Sequence, residues 1–194
     1  MYDALVNYFT SYTGNALTGE EIDLIQRFFI PKKFRKRQYF LQEGEVCKHT
    51  AFIVKGAMRQ YTVGEKGEEH IIKLFIEKAW ASDYESIINK TPSIYFIDAW
   101  EDTVALVIAK TDLVYLLERI PVLLQWIRKL DNNFVIDSDR RISASIRLTA
   151  DERYFDLEKN YPEFIQRFPQ HIIASYLGIN RETLSRIRAR YPKK

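Results

Sequence analysis

The spacing of hydrophobic residues divides the chain into an early β-prone part and helical parts on either side of it. Residues 18–21 have the capping-box pattern Thr-x-x-Glu, which predicts a helix that extends to about Phe29 and stops at Pro31. From Lys33 to Ala109, short β-prone runs alternate with glycine-containing turns. The clearest runs are residues 52–56, 58–63, 70–75 and 104–108. Many short strands at similar spacing predict a sandwich or a jelly-roll barrel.

A long amphipathic helix is predicted after the strands. Pro121 suits its first position, and the helical pattern continues to about Ile146, a length of about 39 Å. Apolar residues recur along it at heptad-like steps: Leu123, Ile127, Leu130 and Phe134. Such a stripe can be buried against the same helix of a second copy or against the chain's own barrel. We favour the second copy, because residues 137–141 are very polar.

The last part of the chain has the pattern of a helix-turn-helix. The apolar positions of its two helices are Ile173, Ala174, Leu177, Leu184 and Ile187. Between the helices, Gly178 stands where the chain must turn, and Asn180 stands where the second helix needs an N-cap. The outward side of the second helix is polar: Arg181, Glu182, Ser185, Arg186, Arg188 and Arg190. This arrangement predicts a helix that reads DNA bases.

The distribution of charge favours the same interpretation. Residues 165–194 hold seven Lys or Arg and one acidic residue, a net charge of +6, although the whole chain carries only +3. Basic charge concentrated in this segment is what binding to DNA phosphates requires. The alternative is an ordinary amphipathic helix pair with a solvated charged side. We favour DNA binding because the motif and the charge coincide.

Composition excludes several classes of protein. With 194 residues, the chain can form one large domain or two small ones, and no apolar run approaches the roughly 18 residues of a membrane span. The N-terminus lacks the pattern of a secretory signal. Cys47 is the only cysteine, which excludes an internal disulfide and an iron–sulfur cluster held by this chain alone, and fits a cytoplasmic protein. We predict no membrane association and assign no metal or cofactor.

Three segments resemble the Crp/Fnr family of bacterial transcription regulators. They are Leu-Gln-Glu-Gly-Glu at 41–45, Ala-Phe-Ile-Val-Lys-Gly at 51–56 and, most specifically, Asn-Arg-Glu-Thr-Leu-Ser-Arg-Ile at 180–187. The resemblance implies an α+β protein with a double-stranded β-helix (jelly-roll) sensor domain at 1–120, a dimerisation helix at 121–148 and an all-α helix-turn-helix domain at 149–194. The wing of many members has no clear counterpart after residue 191. The implied function is that of a regulator, not an enzyme.

The family's base-reading residues correspond to Arg181, Glu182 and Arg186. Arginine can donate to O6 and N7 of guanine, and glutamate can accept from N4 of cytosine. The resemblance implies that Asn180 and Thr183 contact phosphates; Ser185 and Arg188 complete the expected DNA-binding set. A structural alternative for Glu182 and Arg186 is an i, i+4 ion pair. The implied partners are double-stranded DNA at an inverted-repeat site, a second copy of the chain and RNA polymerase.

The sequence departs from the family where cyclic nucleotides bind. Asp83 occupies the position of the family's ribose-binding glutamate, and Ser93 occupies that of its phosphate-binding arginine. A buried phosphate without a cation is strongly unfavourable, so we expect no response to cyclic AMP. The surrounding polar residues can line a pocket for a different effector or be ordinary barrel residues with no ligand. They are Asp83, Tyr84, Glu85, Ser86 and Ser93. The effector is therefore either unknown or absent.

Two other functions are compatible with a small β-barrel. A cupin-like metalloenzyme would need clustered histidines, but His49 and His70 have no neighbouring histidine in sequence, and no hydrolase triad is recognisable. A stand-alone ligand-binding module is the other alternative. The basic run at residues 32–37 can be a nucleic-acid patch, although a strand edge protected by charge is the simpler interpretation.

Overall fold

The computed structural model describes residues 1–191, with all side chains in that range except those of residues 131–135, 137 and 138. The helices are α1 (Tyr2–Thr13), α2 (Gly19–Phe28), α3 (Tyr84–Asn89), α4 (Lys110–Leu117), α5 (Pro121–Arg147), α6 (Ala150–Asn160), α7 (Pro162–Arg167), α8 (Gln170–Leu177) and α9 (Arg181–Arg190). The strands are β1 (Ile30–Phe34), β2 (Tyr39–Leu41), β3 (His49–Lys55), β4 (Met58–Val63), β5 (Glu69–Phe75), β6 (Trp80–Ala81), β7 (Phe96–Ala99) and β8 (Thr103–Ala109). An N-terminal β-sandwich and C-terminal helices confirm the predicted α+β class.

The chain forms two compact units. The first unit is Met1–Thr62 with Leu74–Asp131, and the second is Val63–Lys73 with the described residues from Asn132 onward. The helix α5 therefore contributes to both units. The three-part division at residues 120 and 148 stays a prediction.

Two four-stranded sheets form the sandwich, with strand orders β1-β8-β3-β6 and β2-β7-β4-β5. The pairs β1–β8, β3–β8, β3–β6, β2–β7 and β4–β7 are antiparallel. Strand β1 carries Lys32 and Lys33 at the end of its sheet, and both lysines are exposed. Charged residues on an edge strand discourage pairing with another chain, as expected for the basic run.

The first sheet is buried on both of its faces. Ile53 and Val107 face the core between the sheets, whereas Phe52, Leu106 and Ile108 belong to a second core on the other face. This second core also contains residues of α1, α2, α4 and α5: Leu5, Phe9, Ile25, Leu116, Leu123 and Trp126. Burial on both faces explains why β8 is apolar at nearly every position rather than alternating.

The start of α5 packs within the first unit, which corrects one prediction. Leu123 is 0% exposed in the second core, so it cannot face another copy as the predicted dimer stripe requires. Ile127 and Leu130 are half-buried against the same core. The side chain of Phe134, the fourth residue of the stripe, lies outside the described residues. The alternative of packing against the chain's own domain therefore holds for the first part of the stripe.

The helical part of the second unit has its own apolar core. It consists of Tyr154, Leu157, Phe164, Phe168, Ile172, Ile173, Ala174, Leu184 and Ile187, all buried. Helix α8 packs against α6, α7 and α9. The sequence predicted Leu177 as a buried residue of α8, but Leu177 is half-buried. Ile172, which was not predicted, is buried together with Ile173 and Ala174. Within residues 1–191, no helix is both long and apolar enough to cross a membrane.

Candidate nucleic-acid interface

The turn between α8 and α9 has the geometry that its sequence predicts. Gly178 adopts a left-handed conformation with φ 66° and ends α8. Its N–H donates to the carbonyl of Ser175, and the N–H of Ile179 donates to that of Ala174, both at 3.0 Å. These bonds satisfy carbonyls at the end of the helix, so the chain leaves α8 in a fixed direction.

Asn180 starts α9 as a capping residue. Its Oδ1 atom accepts a hydrogen bond from the backbone N–H of Thr183 at 2.8 Å. The cap confirms the predicted helix start and occupies the side-chain oxygen of Asn180. A phosphate contact by this residue would therefore use its amide nitrogen. Leu184 and Ile187 then anchor the helix in the core with 0% and 1% exposure.

The opposite side of α9 is polar and exposed. We call it the reading side, and it consists of Arg181, Glu182, Ser185, Arg186 and Arg188, all exposed. The guanidinium of Arg186 donates to the hydroxyl of Thr183 at 3.1 Å. Among the described residues, it forms no ion pair with Glu182, so the structural alternative for these two residues does not occur in this conformation. The charged groups of the reading side are thus accessible to a ligand.

Two contacts hold the end of α9 and were not predicted. Arg190 pairs with Asp151 at the start of α6, with an N–O distance of 3.2 Å. The ring of Tyr191 packs edge-on against Phe155, with centroids 4.8 Å apart. A contact between Arg190 and a DNA phosphate would therefore have to compete with this ion pair. No local sequence signal connects residues about 40 positions apart, as these are.

Gln170 is a further neighbour of the reading side. It begins α8 and lines a shallow depression together with Arg181, Glu182 and Ser185. Its position at the helix start follows Pro169, which suits that place because proline has no N–H to leave unpaired. The amide of Gln170 can therefore contact the same ligand as the reading side.

Three of the five predicted effector residues form a closed polar cluster at α3. Asp83 is 4% exposed and caps α3, since its Oδ1 atom accepts from the N–H groups of Glu85 and Ser86 at 3.1 and 3.3 Å. Its Oδ2 atom accepts from the hydroxyl of Ser93 at 2.6 Å. The hydroxyl of Ser86 donates to the carbonyl of Thr91 at 2.6 Å and accepts from the N–H of Cys47 at 2.9 Å. We call Asp83, Ser86 and Ser93 the α3 cap cluster.

The structure separates the remaining two predicted effector residues from this cluster. Tyr84 and Glu85 are both exposed, on the outside of α3. Burial, followed by the charges of Asp83 and Glu85, raises the pKa of Tyr95 near the cluster. The pKa of the Cys47 thiol is also raised, chiefly by burial. Burial is the main cause of both shifts, and the charge of Asp83 adds to each.

His49 and His70 lie in different local surroundings. Within the described part of the chain, no three His, Cys, Asp or Glu side chains come together as a possible metal site. His49 has a lowered pKa because of burial and the nearby charges of Lys32 and Lys48. His70 lies beside Glu68 at 3.6 Å on the surface, far in sequence from His49.

Comparison with known proteins points to regulators. The family model for the cyclic nucleotide-binding domain matches residues 31–120. The anaerobic regulatory protein of Aggregatibacter actinomycetemcomitans is 27% identical over 190 residues, which cover 91% of this chain and 73% of that protein. The chain is thus similar to a regulatory protein over most of both lengths.

Solved structures show the same fold. FixK2 from Bradyrhizobium japonicum matches with a TM-score of 0.68 and 17% identity, over 84% of this chain and 83% of that one. A Eubacterium rectale protein described as a putative transcriptional regulator of the crp/fnr family matches with a TM-score of 0.67 and 18% identity. The match covers 95% of this chain and 87% of that one. At these identities the two structures establish a shared architecture.

Proposed function

We propose that this chain is a transcription regulator of the Crp/Fnr type and that it binds DNA sequence-specifically through the reading side of α9. The observation that carries this proposal is the pairing of a capped helix, anchored in the core, with an exposed row of arginines. Leu184 and Ile187 fix the inner side of α9, and Asn180 fixes its start. The outer side keeps its charged groups accessible. A helix built in this way suits the major groove, which is wide enough to admit it.

The chemistry of the reading side suits G·C pairs. Arg181 and Arg186 offer planar forks that match O6 and N7 of guanine, and Glu182 can accept from N4 of cytosine. The N-terminus of α9 adds a favourable dipole for a phosphate oxygen. The net charge of +6 within residues 165–194 supports a sequence-independent attraction to the DNA backbone. Positioning and base reading can thus come from the same short segment.

We further propose that the protein acts as a homodimer through the later part of α5. Ile142 and Ile146 lie one helical turn apart and are 60% and 78% exposed. Exposed isoleucines at this spacing form the kind of apolar stripe that a second copy of the helix can cover. Leu123 is excluded from this seam by its burial. A two-fold dimer would present its two reading helices about 34 Å apart, so the site should be an inverted repeat.

Cyclic AMP is not the expected effector. A cyclic phosphate at the family's position would meet Ser93, whose hydroxyl already donates to the buried Asp83 carboxylate. Placing an anion beside this carboxylate is electrostatically unfavourable, and none of the contacts described for Asp83 comes from a cation. We expect titration calorimetry with cyclic AMP to show no binding at micromolar concentration. Tight binding would contradict the proposed insensitivity but not the DNA-binding function.

The decisive experiment is an unbiased selection of DNA sites from a random library. We expect an inverted repeat with G·C pairs in each half-site. The double variant Ile142→Glu/Ile146→Glu should sediment as a monomer and lose affinity for the repeat. Ile88→Glu is the matched control, because Ile88 is 49% exposed on α3, in the first unit. A selection that returns no inverted repeat would overturn the proposal.

Several finer predictions stay open to test. They are the jelly-roll connectivity of the sandwich, the lack of a wing, and contact with RNA polymerase. Similarity to regulators disfavours the cupin-like enzyme and the stand-alone ligand-binding module.

A further inference from the structure

Within the second unit, a serine of α8 is bound to a β-strand. The hydroxyl of Ser175 accepts a hydrogen bond from the N–H of Ile71 and donates one to the carbonyl of Glu69, both at 2.9 Å. Strand β5 is last in its sheet order, so this backbone would otherwise be an open edge. One side chain therefore occupies the two bonding positions that a neighbouring strand would use.

An arginine of α5 contacts the same strand and the residue after Ser175. The guanidinium of Arg141 donates to the carbonyl of Ile72 and lies over the ring of Tyr176, with its central carbon 4.6 Å from the ring centroid. Arg141 thus contacts the strand and α8 together. We call Ser175, Arg141 and Tyr176, with the strand residues 69–72, the α8 clamp. The clamp connects three elements that are distant in sequence, because Ser175 and Glu69 are 106 positions apart.

The clamp does not cover the reading side. Ser175 and Tyr176 are on α8, whereas Arg181, Ser185 and Arg186 on α9 are exposed while the clamp is closed. Since α8 packs against α9, a fixed α8 also fixes the direction of α9 relative to the later part of α5. The contacts therefore orient the reading helix rather than occlude it.

We propose that Ser175 and Arg141 are positioning residues that set the half-site spacing the regulator accepts. The inference rests on the proposed DNA-binding homodimer. If α5 supplies the dimer seam, then the angle between α5 and α9 determines the distance and rotation between the two reading helices. Each added base pair rotates one half-site by about 34° around the duplex, so a rigid pair of reading helices tolerates few spacings. Releasing the clamp lets α9 tilt and relaxes this requirement.

The test measures affinity for duplexes whose two half-sites are separated by the selected spacing or by one or two base pairs more or less. Ser175→Ala removes both hydrogen bonds of the hydroxyl, and Arg141→Lys keeps the charge but removes the planar group over Tyr176. For Ser175→Ala we expect about a three- to tenfold loss of affinity at the selected spacing. We expect a smaller loss, or a gain, of affinity at the altered spacings. The ratio of the affinity at the selected spacing to that at the altered spacings should therefore fall. Arg141→Lys should change the preference in the same direction.

Two controls separate this effect from a change in folding. Ser11→Ala is the matched control, because the hydroxyl of Ser11 donates only to carbonyls of its own helix, at Asn7 and Tyr8. Ser175→Thr keeps the hydroxyl and should restore the preference for the selected spacing. The ratio of affinities at two spacings does not depend on the folded fraction of the sample, since unfolding lowers both equally.

The outcomes distinguish the two proposals. Equal losses by Ser175→Ala at every spacing, or tighter binding at the selected spacing, would overturn the positioning role. A wild-type protein that binds no duplex would instead overturn the proposed DNA-binding function.

Discussion

The α3 cap cluster and the reading side of α9 hold polar residues in opposite arrangements. In the cluster, the side-chain oxygens of Asp83, Ser86 and Ser93 are buried and bonded to one another or to backbone groups. On the reading side, arginines and a glutamate project from a helix whose cap and inner side are already satisfied. Polar groups that are bonded internally stabilise a fold, whereas exposed ones are available to a partner. The comparison favours a structural role for the first region and supports the proposed role of the second in DNA recognition.

Removing the carboxylate of Asp83 is the strongest test of the structural role of the α3 cap cluster. Asp83→Ala deletes the cap of α3 and removes the acceptor at 2.6 Å from the Ser93 hydroxyl, which keeps the longer contact of 3.3 Å to the carbonyl of Tyr95. We expect the free energy of unfolding to fall by about 3 kcal/mol. Urea unfolding followed by circular dichroism measures the change. Glu85→Ala, at an exposed neighbour in the same helix, should change it by less than about 0.5 kcal/mol. Equal effects of the two variants would show that the cluster is not structural.

Substitutions on the reading side should weaken DNA binding and leave the free energy of unfolding almost unchanged. Arg181→Ala and Arg186→Ala should each weaken binding to the selected DNA site by about 1–3 kcal/mol, because each removes a potential base contact. Their free energy of unfolding should stay within about 0.5 kcal/mol of the wild type, since both side chains are exposed. Fluorescence anisotropy with labelled duplex measures the affinity.

Arg27→Ala provides the control for these two variants. Arg27 is exposed on α2 and carries the same charge away from the proposed interface. If Arg27→Ala weakened binding as much as Arg181→Ala, the contribution would be general charge and not base reading.

The smallest expected effect concerns Cys47, whose N–H donates to Ser86. Burial raises the pKa of its thiol, so the thiol stays protonated at neutral pH. Its contribution to stability is present at neutral pH and is lost as the pH rises through the raised pKa. We expect iodoacetamide to alkylate the folded protein more slowly than the urea-unfolded chain at pH 8, and Asp83→Ala to reduce the difference. Alkylation at equal rates in both states would contradict a closed cluster.

Local signals explain which parts of the fold the sequence predicts. The capping box at Thr18 and Glu21 predicts α2, and the structure contains both of its reciprocal hydrogen bonds. The same signal is present at Thr149 and Glu152, where it starts α6. That helix could therefore have been predicted as well. By contrast, β2 and β6 have three and two residues, too few to show an alternating pattern.

Periodicity could not decide what the stripe on α5 contacts. A heptad pattern shows which side of a helix is buried, but the same pattern serves a partner helix or the protein's own core. In the structure, the first turns of α5, including Leu123, pack into the aromatic core around Trp126. The α8 clamp is equally invisible in the sequence, because its hydrogen bonds join residues far apart in the chain. The reading side was predictable because all of its residues lie within one short helix.

The placement of the three tryptophans determines what an optical experiment can observe. Trp80 and Trp126 lie in the second core with ring centroids 4.6 Å apart, and Trp100 is adjacent to Arg59 in the same unit. Tryptophan fluorescence therefore reports on the sandwich and the beginning of α5. Changes confined to α8 and α9 would not alter this signal directly, so observing them requires a fluorescent label on one of these helices.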